Sequence, residues 1–407
     1  MESLRSRIRN VRGRYPAEFW LLFWGTLLSS AAGGLVWPYL TIFVRQQLNV
    51  PMTTVALLLT VNAAAGLIGL SVAGPAADRF GRKPVMLASL TAQGAAMVCM
   101  SLAASLPAWI GVMALFGAFN PLFRVGADSM MADLLSAEQR PGGYALLRMI
   151  SNLGIVVGPI FGGFLIAVSY DIAFYASAAA SFLFALLILL RTRETLPSRL
   201  GEGAQPGGGY GPVLRDRPFL LFVGTYAISG MAYIILMVLL PVYAKENFGV
   251  VERQYGFILA TNAAMVVLFQ FPVTRWTSRR SPLPILALGS LFYAAGVGSV
   301  ARGSGFGAFW LSMVILTVGE MIMVPTSTTL TANLAPVEMR GRYVGLYTLT
   351  WTVGLGVGPV VGGFLNDRLA PVAIWYGGLA LALTAALGFL ALGRNGRLRS
   401  TATAPAS

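Results

Sequence analysis

ADLLSAEQRPGGYALLRMISNLGIVVGPIFGGFL, residues 132–165, returns as ANLAPVEMRGRYVGLYTLTWTVGLGVGPVVGGFL at residues 332–365. Thirteen of the 34 aligned positions are identical, among them Ala132/Ala332, Glu138/Glu338, Arg140/Arg340 and Gly158-Pro159 with Gly162-Gly163-Phe164-Leu165. Chance would give roughly three or four in a chain this rich in Ala, Gly, Leu and Val. The register extends further: Asn62-Ala63-Ala64 matches Asn262-Ala263-Ala264, and Leu21-Leu22-Phe23 matches Leu220-Leu221-Phe222 one residue out. The chain is a duplication, and two homologous halves of a membrane chain place a site between them.

Of the 407 residues, 56% are hydrophobic and 11% charged, with a mean hydropathy of +0.72; an average soluble domain is roughly 25% charged. This is the composition of an integral membrane protein. A spanning helix needs about 20 mainly apolar residues. Such runs fall at 19–43, 53–76, 84–106, 108–131, 143–168, 171–190, 218–243, 254–274, 283–303, 307–330, 342–366 and 371–393. They divide six and six, giving a first half 1–191, a linker 192–216 and a second half 217–407. The linker breaks the pattern with Arg193-Glu194, Pro197, Gly201, Gly203 and Pro206-Gly207-Gly208-Gly209, a composition that suits a flexible, solvated segment. The expected fold class is an all-α membrane protein of twelve transmembrane helices in two pseudo-symmetric six-helix halves.

Arg5, Arg7, Arg9, Arg12 and Arg14 precede the first apolar run, which is too long for a signal-peptide core and reads as a retained helix. The net charge of +14 raises nucleic acid as a partner, but the cations sit in short loops between spans, where charge serves topology. With the N-terminus inside, the inside segments hold those five arginines together with Arg79, Arg82, Lys83, Arg140, Arg191, Arg193, Arg199, Arg215, Arg217, Arg275, Arg279, Arg280, Arg340, Arg342, Arg394, Arg397 and Arg399. That is 22 of the 29 Lys and Arg. The expectation is a multi-pass protein of the cell (inner or plasma) membrane with both termini cytoplasmic, contacting lipids and no nucleic acid.

Several function classes drop out. There is no phosphate-cradling GxxxxGK[ST] for ATP. Without histidine, and with the single Cys99 in an apolar span, zinc chemistry, His-based catalysis and an internal disulfide are disfavoured. The loops are too short for a soluble catalytic domain. The expectation is no enzyme, metal or cofactor, and a monomer driven by an ion gradient.

Gly74-Pro75-Ala76-Ala77-Asp78-Arg79-Phe80-Gly81-Arg82-Lys83 fills the turn between the second and third spans. Asp78 ends a helix, Gly81 permits a tight turn, and the cations pair with carboxylates or lipid phosphates or serve only as topology anchors. This resembles the loop motif of the major facilitator superfamily, G-x-x-x-D-R-x-G-R-K/R, and the two-half, twelve-helix plan resembles that family over nearly the whole chain. The resemblance implies secondary active transport by alternating access. It makes Gly74, Asp78, Arg79, Gly81, Arg82 and Lys83 a gating loop, with Asp78, Arg82 and Asp133 as its latch. The second-half counterpart, Pro272-Val273-Thr274-Arg275-Trp276-Thr277-Ser278-Arg279-Arg280, keeps the charge but lacks the Asp and Gly.

Gly154, Gly158, Pro159, Gly162 and Gly163 put small residues at i, i+4 and i+8 of the fifth span, a flat face for close helix approach. They resemble the antiporter motif of drug-exporting members, although plain packing accounts for them equally and Gly354 to Gly363 repeat the pattern. Glu320 sits in mid-span in Thr317-Val318-Gly319-Glu320-Met321-Ile322-Met323-Val324-Pro325. An ionised carboxylate at that depth costs about 3 kcal/mol, so it faces a cavity or partner or stays protonated. By resemblance to proton-coupled multidrug exporters Glu320 is a protonation site; the alternative is a helix-locking hydrogen bond. Arg124 and Asp128 share a face of the fourth span, with Arg148 on the fifth as a competing partner. They read as a second coupling group around Asp128 or as a structural ion-pair cluster. The family plan puts the first, fourth, seventh and tenth spans around the cavity, making Trp37, Tyr39, Asn120, Tyr226, Met231, Tyr233 and Met237 candidates for an adaptable wall. Asn62 and Asn262 read as amides joining helices.

The resulting expectation is an antiporter exporting hydrophobic or cationic small molecules in exchange for protons. A transporter of one metabolite or lipid (a sugar, siderophore or lysolipid) is the alternative within the fold, and a non-transporting scaffold or sensor the alternative outside it.

Overall fold

The computed structural model describes residues 15–136, 138–196, 211–336 and 339–394. The arginines before residue 15, Glu338, Arg199, Arg397, Arg399 and the linker stretch 197–210 lie outside the described residues. Twelve helices are long and apolar enough to cross a membrane. These are α1 Ala17–Leu48, α2 Met52–Phe80, α3 Arg82–Leu102, α4 Leu106–Leu134, α5 Arg140–Ile166, α6 Tyr170–Arg191, α7 Arg217–Phe248, α8 Glu252–Thr277, α9 Pro282–Val300, α10 Phe306–Leu334, α11 Arg340–Arg368 and α12 Ala373–Leu392. The repeat is visible in the backbone, since α4 and α10 begin and end 200 residues apart and α2, α3 and α5 start 200 residues before α8, α9 and α11. A short helix, Gly211–Arg215, precedes α7.

Two helices outrun their apolar runs. α1 continues to Leu48 through a 3-10 turn at Trp37–Tyr39, where Pro38 has no N–H to offer. α7 continues to Phe248 and is stopped by Gly249 in the left-handed region (φ 65°). Their polar ends, Arg45-Gln46-Gln47 and Lys245-Glu246-Asn247, lower the hydropathy there while leaving the helix intact.

Prolines inside spans free a carbonyl one turn back, and in hydrocarbon it must find a donor. Pro241 in α7 frees Met237 O, which accepts from the Tyr255 hydroxyl at 3.1 Å. Pro325 in α10 frees Met321 O, which accepts from Gln270 Nε2 at 3.0 Å. Both donors stand on α8.

The described residues form two compact units, one of 15–39 with those from 64 to 196 and the other of 40–63 with those from 211 to 394. In the first, α1 packs on α5 and α6, and α3 on α4 and α6. Gly154, Gly158 and Gly162 lie against the α1 backbone: a methyl at Gly158 would meet Gly34 Cα at 2.7 Å, and one at Gly162 would meet Leu35 Cα at 2.9 Å. The small-residue face of α5 therefore joins it to α1. In the second unit, α9 packs on α10 and α12, α7 on α11 and α12, and α8 on α10. The units differ from the sequence halves in one respect: Leu40–Ala63, the end of α1 and the start of α2, belongs with the second repeat.

Candidate functional site

Glu320 is the central residue of the 29-residue α10. Its carboxylate accepts a hydrogen bond from Asn262 Nδ2 on α8 at 2.8 Å and another from the Tyr233 hydroxyl on α7. Asn262 Nδ2 also donates to Thr317 Oγ1 at 2.9 Å, and Thr317 donates onward to Met313 O at 2.7 Å. Asn262 thus joins α8 to α10, as its type suggested, and in addition orients the acid. Among the described residues no Lys or Arg forms an ion pair with Glu320.

The acid lines a pocket together with Tyr226, Tyr233, Tyr293, Val324, Thr350 and Trp351. Helical spacing brings these together: Tyr226, Gly230 and Tyr233 lie on one face of α7, and Glu320 and Val324 on one face of α10. The Tyr233 ring lies 5.4 Å from that of Tyr293 and 5.7 Å from that of Trp351. Tyr347 donates to the Tyr226 hydroxyl at 3.2 Å and shares a hydrogen bond with Ser327 at 2.9 Å. A carboxylate with neutral donors on one side and aromatic faces around it can hold an organic cation, by charge and by cation–π attraction.

The other cavity candidates lie elsewhere. Tyr39 is fully buried and donates to Pro159 O on α5 at 2.7 Å, a helix-joining bond. Trp37 stacks on Phe116 at 5.8 Å. Met231 runs under Gly358, whose added methyl would meet Met231 O at 2.9 Å, and Met237 gives its carbonyl to Tyr255. Tyr293 and Trp351 were not expected, because α9 and α11 are not cavity helices in the family plan.

On α4, Asn120, Arg124 and Asp128 follow at four-residue spacing and all are exposed. Charged side chains on one face in mid-span belong against water, not hydrocarbon. Arg124 and Asp128 approach to 3.9 Å with side chains 83% and 54% exposed, so the pair is worth little energetically. Arg148 is exposed and forms no ion pair among the described residues. Tyr144 donates to the Asp128 backbone carbonyl at 2.9 Å.

The turn after α2 is built around Arg82, whose side chain is 9% exposed. Its guanidinium pairs with Asp78 and Asp133, each at 3.2 Å, and donates to Ala77 O at 2.8 Å. Gly81 makes the corner at φ 102°, where a side chain would be strained. Arg79 lies over the Phe80 ring at 5.4 Å, Lys83 Nζ donates to Leu189 O at 2.8 Å, and Gly74 faces open space. The segment after α6 completes the cluster. Glu194 accepts from the N–H groups of Arg82 and Lys83 at 3.0 Å, capping α3, and Thr195 Oγ1 donates to Asp133 at 3.0 Å. Burial alone would raise the Glu194 pKa, but the N–H groups of Leu196, Arg82, Lys83 and Thr195 outweigh it and hold the carboxyl below the usual range.

The Major Facilitator Superfamily profile matches residues 22–359 and 222–406. A "Na(+), Li(+), K(+)/H(+) antiporter" of Planococcus maritimus is 26% identical over 91% of this chain and 90% of its own. "Multidrug resistance protein MdtH" of Escherichia coli O1:K1 / APEC is 27% identical over 80% and 81%. Among solved structures, a point mutant of the nucleoside transporter NupG superposes with a TM-score of 0.80 at 13% identity, covering 92% of this chain and 99% of that one. A bacterial homolog of the human lysosomal transporter Spinster, inward-facing and occupied, gives 0.78 at 15% identity, covering 95% and 98%. The duplicated twelve-helix fold, the turn built on Asp78, Gly81 and Arg82, and this profile match agree: the chain belongs to the Major Facilitator Superfamily and is a multi-pass membrane transporter, not an enzyme.

Proposed function

We propose that the protein exports hydrophobic cations in exchange for protons, with Glu320 as the group that carries either the proton or the cation. The observation that carries this reading is the setting of Glu320: central in α10, held among the described residues by the neutral donors Asn262 and Tyr233, and ringed by Tyr226, Tyr293 and Trp351. Ionised, the carboxylate attracts a cation into the aromatic pocket; protonated, it offers no charge and the cation leaves. The exposed Asp128 is the second proton carrier in this scheme, with Arg124 as its partner. The protein acts as a monomer in the cell membrane with the Arg-rich turn end cytoplasmic, needs no cofactor, and is driven by the proton gradient.

The test is ethidium flux in proteoliposomes under an imposed pH gradient, native protein against Glu320→Gln. Gradient-driven flux lost in the variant supports the reading; flux unchanged in the variant moves coupling to Asp128. The Planococcus relative brings a second reading, exchange of an alkali cation for a proton. The same vesicles, loaded with Na⁺ or K⁺ and a pH dye, decide it: proton movement with the metal ion and none with ethidium selects the second.

A further inference from the structure

Asp367 is the penultimate residue of α11. There its charge opposes the negative end of its own helix dipole, so it does nothing for the stability of α11. It lies instead on the start of α2. Its carboxylate accepts from Met52 N at 3.1 Å, Thr53 N at 2.8 Å and Thr53 Oγ1 at 2.6 Å, and Asn366 Nδ2 steadies it at 3.0 Å. Met52 and Thr53 are the first two residues of α2, whose N–H groups have no partner within their own helix.

The contact continues along both helices. One turn before Asp367, a methyl on Gly363 would sit 2.8 Å from Thr53 N and 2.9 Å from Thr53 Cα, backbone atoms that cannot step aside. Seven residues further along each chain, Thr60 Oγ1 donates to Gly356 O. Nearby, Thr41 Oγ1 donates to Val238 O at 3.1 Å and Arg45 pairs with Glu246 at 2.9 Å. By sequence α2 belongs to the first repeat and α11 to the second, so every one of these bonds joins the two repeats. The repeat holds no second copy of the chemistry, because Ala167 stands where Asp367 stands and Arg253 where Thr53 stands.

A superfamily transporter works by parting its repeats first at one end and then at the other. We infer that Asp367 is a positioning residue of the transport cycle, clasping α2 to α11 at the end opposite the Arg82 turn, and that release of this cap is the step that opens that end. The inference stands on family membership and geometry, and not on the identity of the cargo or on Glu320.

Chain parity places the α3–α4 and α9–α10 loops at this same end, where Ala104 and Ser304 are exposed and repeat-equivalent. Spin labels at Ala104→Cys and Ser304→Cys, in a Cys99→Ala background in lipid nanodiscs, read its opening as a distance distribution. Asp367→Ala and Gly363→Ala should each raise the ratio of long to short distances roughly tenfold, the scale of losing hydrogen bonds to a charged group. Asp367→Glu, which keeps the carboxylate, should return most of that shift, whereas a merely structural aspartate would change melting temperature without moving the distribution. An unchanged distribution in folded Asp367→Ala, or a Glu variant that behaves as Ala does, overturns the clasp. Should Asp367→Ala not fold, Thr53→Val removes one donor and leaves the carboxylate; a smaller shift in the same direction supports the clasp, and no shift overturns it.

Discussion

At the centre of α4 stands Asn120, and at the centre of α10, 200 residues later, stands Glu320. The two repeats share helix boundaries but have divided the polar work. The second repeat holds the acid in an aromatic pocket, while its post-α8 turn has Ser278 and Pro282 where the first has Asp78 and Arg82. The first repeat holds the carboxylate-locked turn, while its central pocket positions carry Gln93, Asn120 and Ser151 in place of Tyr293, Glu320 and Trp351. Duplication supplied two equal scaffolds: one carries the Arg82 carboxylate cluster and the other the buried acid with its aromatic rings. Moving the acid to the other scaffold tests that division most severely. Glu320→Gln should lower gradient-driven ethidium flux on the order of 100-fold, the scale of removing a positioned proton carrier. Adding Asn120→Glu to it should restore none of that flux, since Gln93 and Ser151 stand where the second repeat has the Tyr293 and Trp351 rings. Recovery in the double variant would mean that depth in the membrane, and not the pocket, makes the site.

The turn gives the next largest effect. Among the described residues Arg82 is the cation paired with both Asp78 and Asp133, so Arg82→Gln leaves the two carboxylates without it. Initial transport rates should fall about tenfold, or roughly 1.4 kcal/mol on the limiting step. At the second-repeat turn Pro282 takes the place of Arg82, and the nearby cation Arg280 lies over the Trp276 ring at 4.1 Å and donates to Trp276 O. Arg280→Gln should change the rate less than about twofold, as an exposed surface contact would. Equal losses in the two variants would show that charge alone, and not the carboxylate cluster, sets the gate.

A smaller contrast separates the equivalent amides Asn62 and Asn262. Asn262→Leu removes one of the two donors that hold Glu320, and coupled flux should fall roughly three- to tenfold, the cost of one hydrogen bond. Asn62→Leu should leave the ratio of gradient-driven to passive flux unchanged. If both variants uncouple equally, Asn262 acts as a helix tie and not through the acid.

The helices and their duplication were legible because apolar run length and a fixed 200-residue register are local, additive signals. Glu320 was legible because an acid in such a run is costly. The trio Asp78, Arg82 and Asp133 was named from motif resemblance, and the structure pairs Arg82 with both carboxylates. Glu194 and Asp367 were not readable, since each is a single carboxylate at a span end whose role comes from helix N-termini 112 and 315 residues away in sequence. Tyr39 misled for the converse reason: aromatic residues of cavity walls and of helix packing have the same composition, and only its bond to Pro159 O separates them.

Glu194 supplies the finest test of the division between repeats. Its carboxyl is held below the usual range by backbone donors at the start of α3. A group depressed in the folded state adds stability that is complete above its unfolded value, about 4.3 for Glu, and fades as pH falls through its folded value. Hydrogen-exchange protection of the Arg82 and Lys83 amides, corrected for intrinsic rates, should therefore be flat above that point and drop below it. Glu194→Gln should reduce protection roughly two- to fivefold at neutral pH, a modest effect because the side chain is largely exposed, and should abolish the acid-side drop. The second repeat places Arg394 at the equivalent position and starts α9 with Pro282, which has no N–H to cap. Protection at the start of α9 should show no such titration. A matching acid-side drop there would place its cause in general loosening of the bundle and remove Glu194 from the latch.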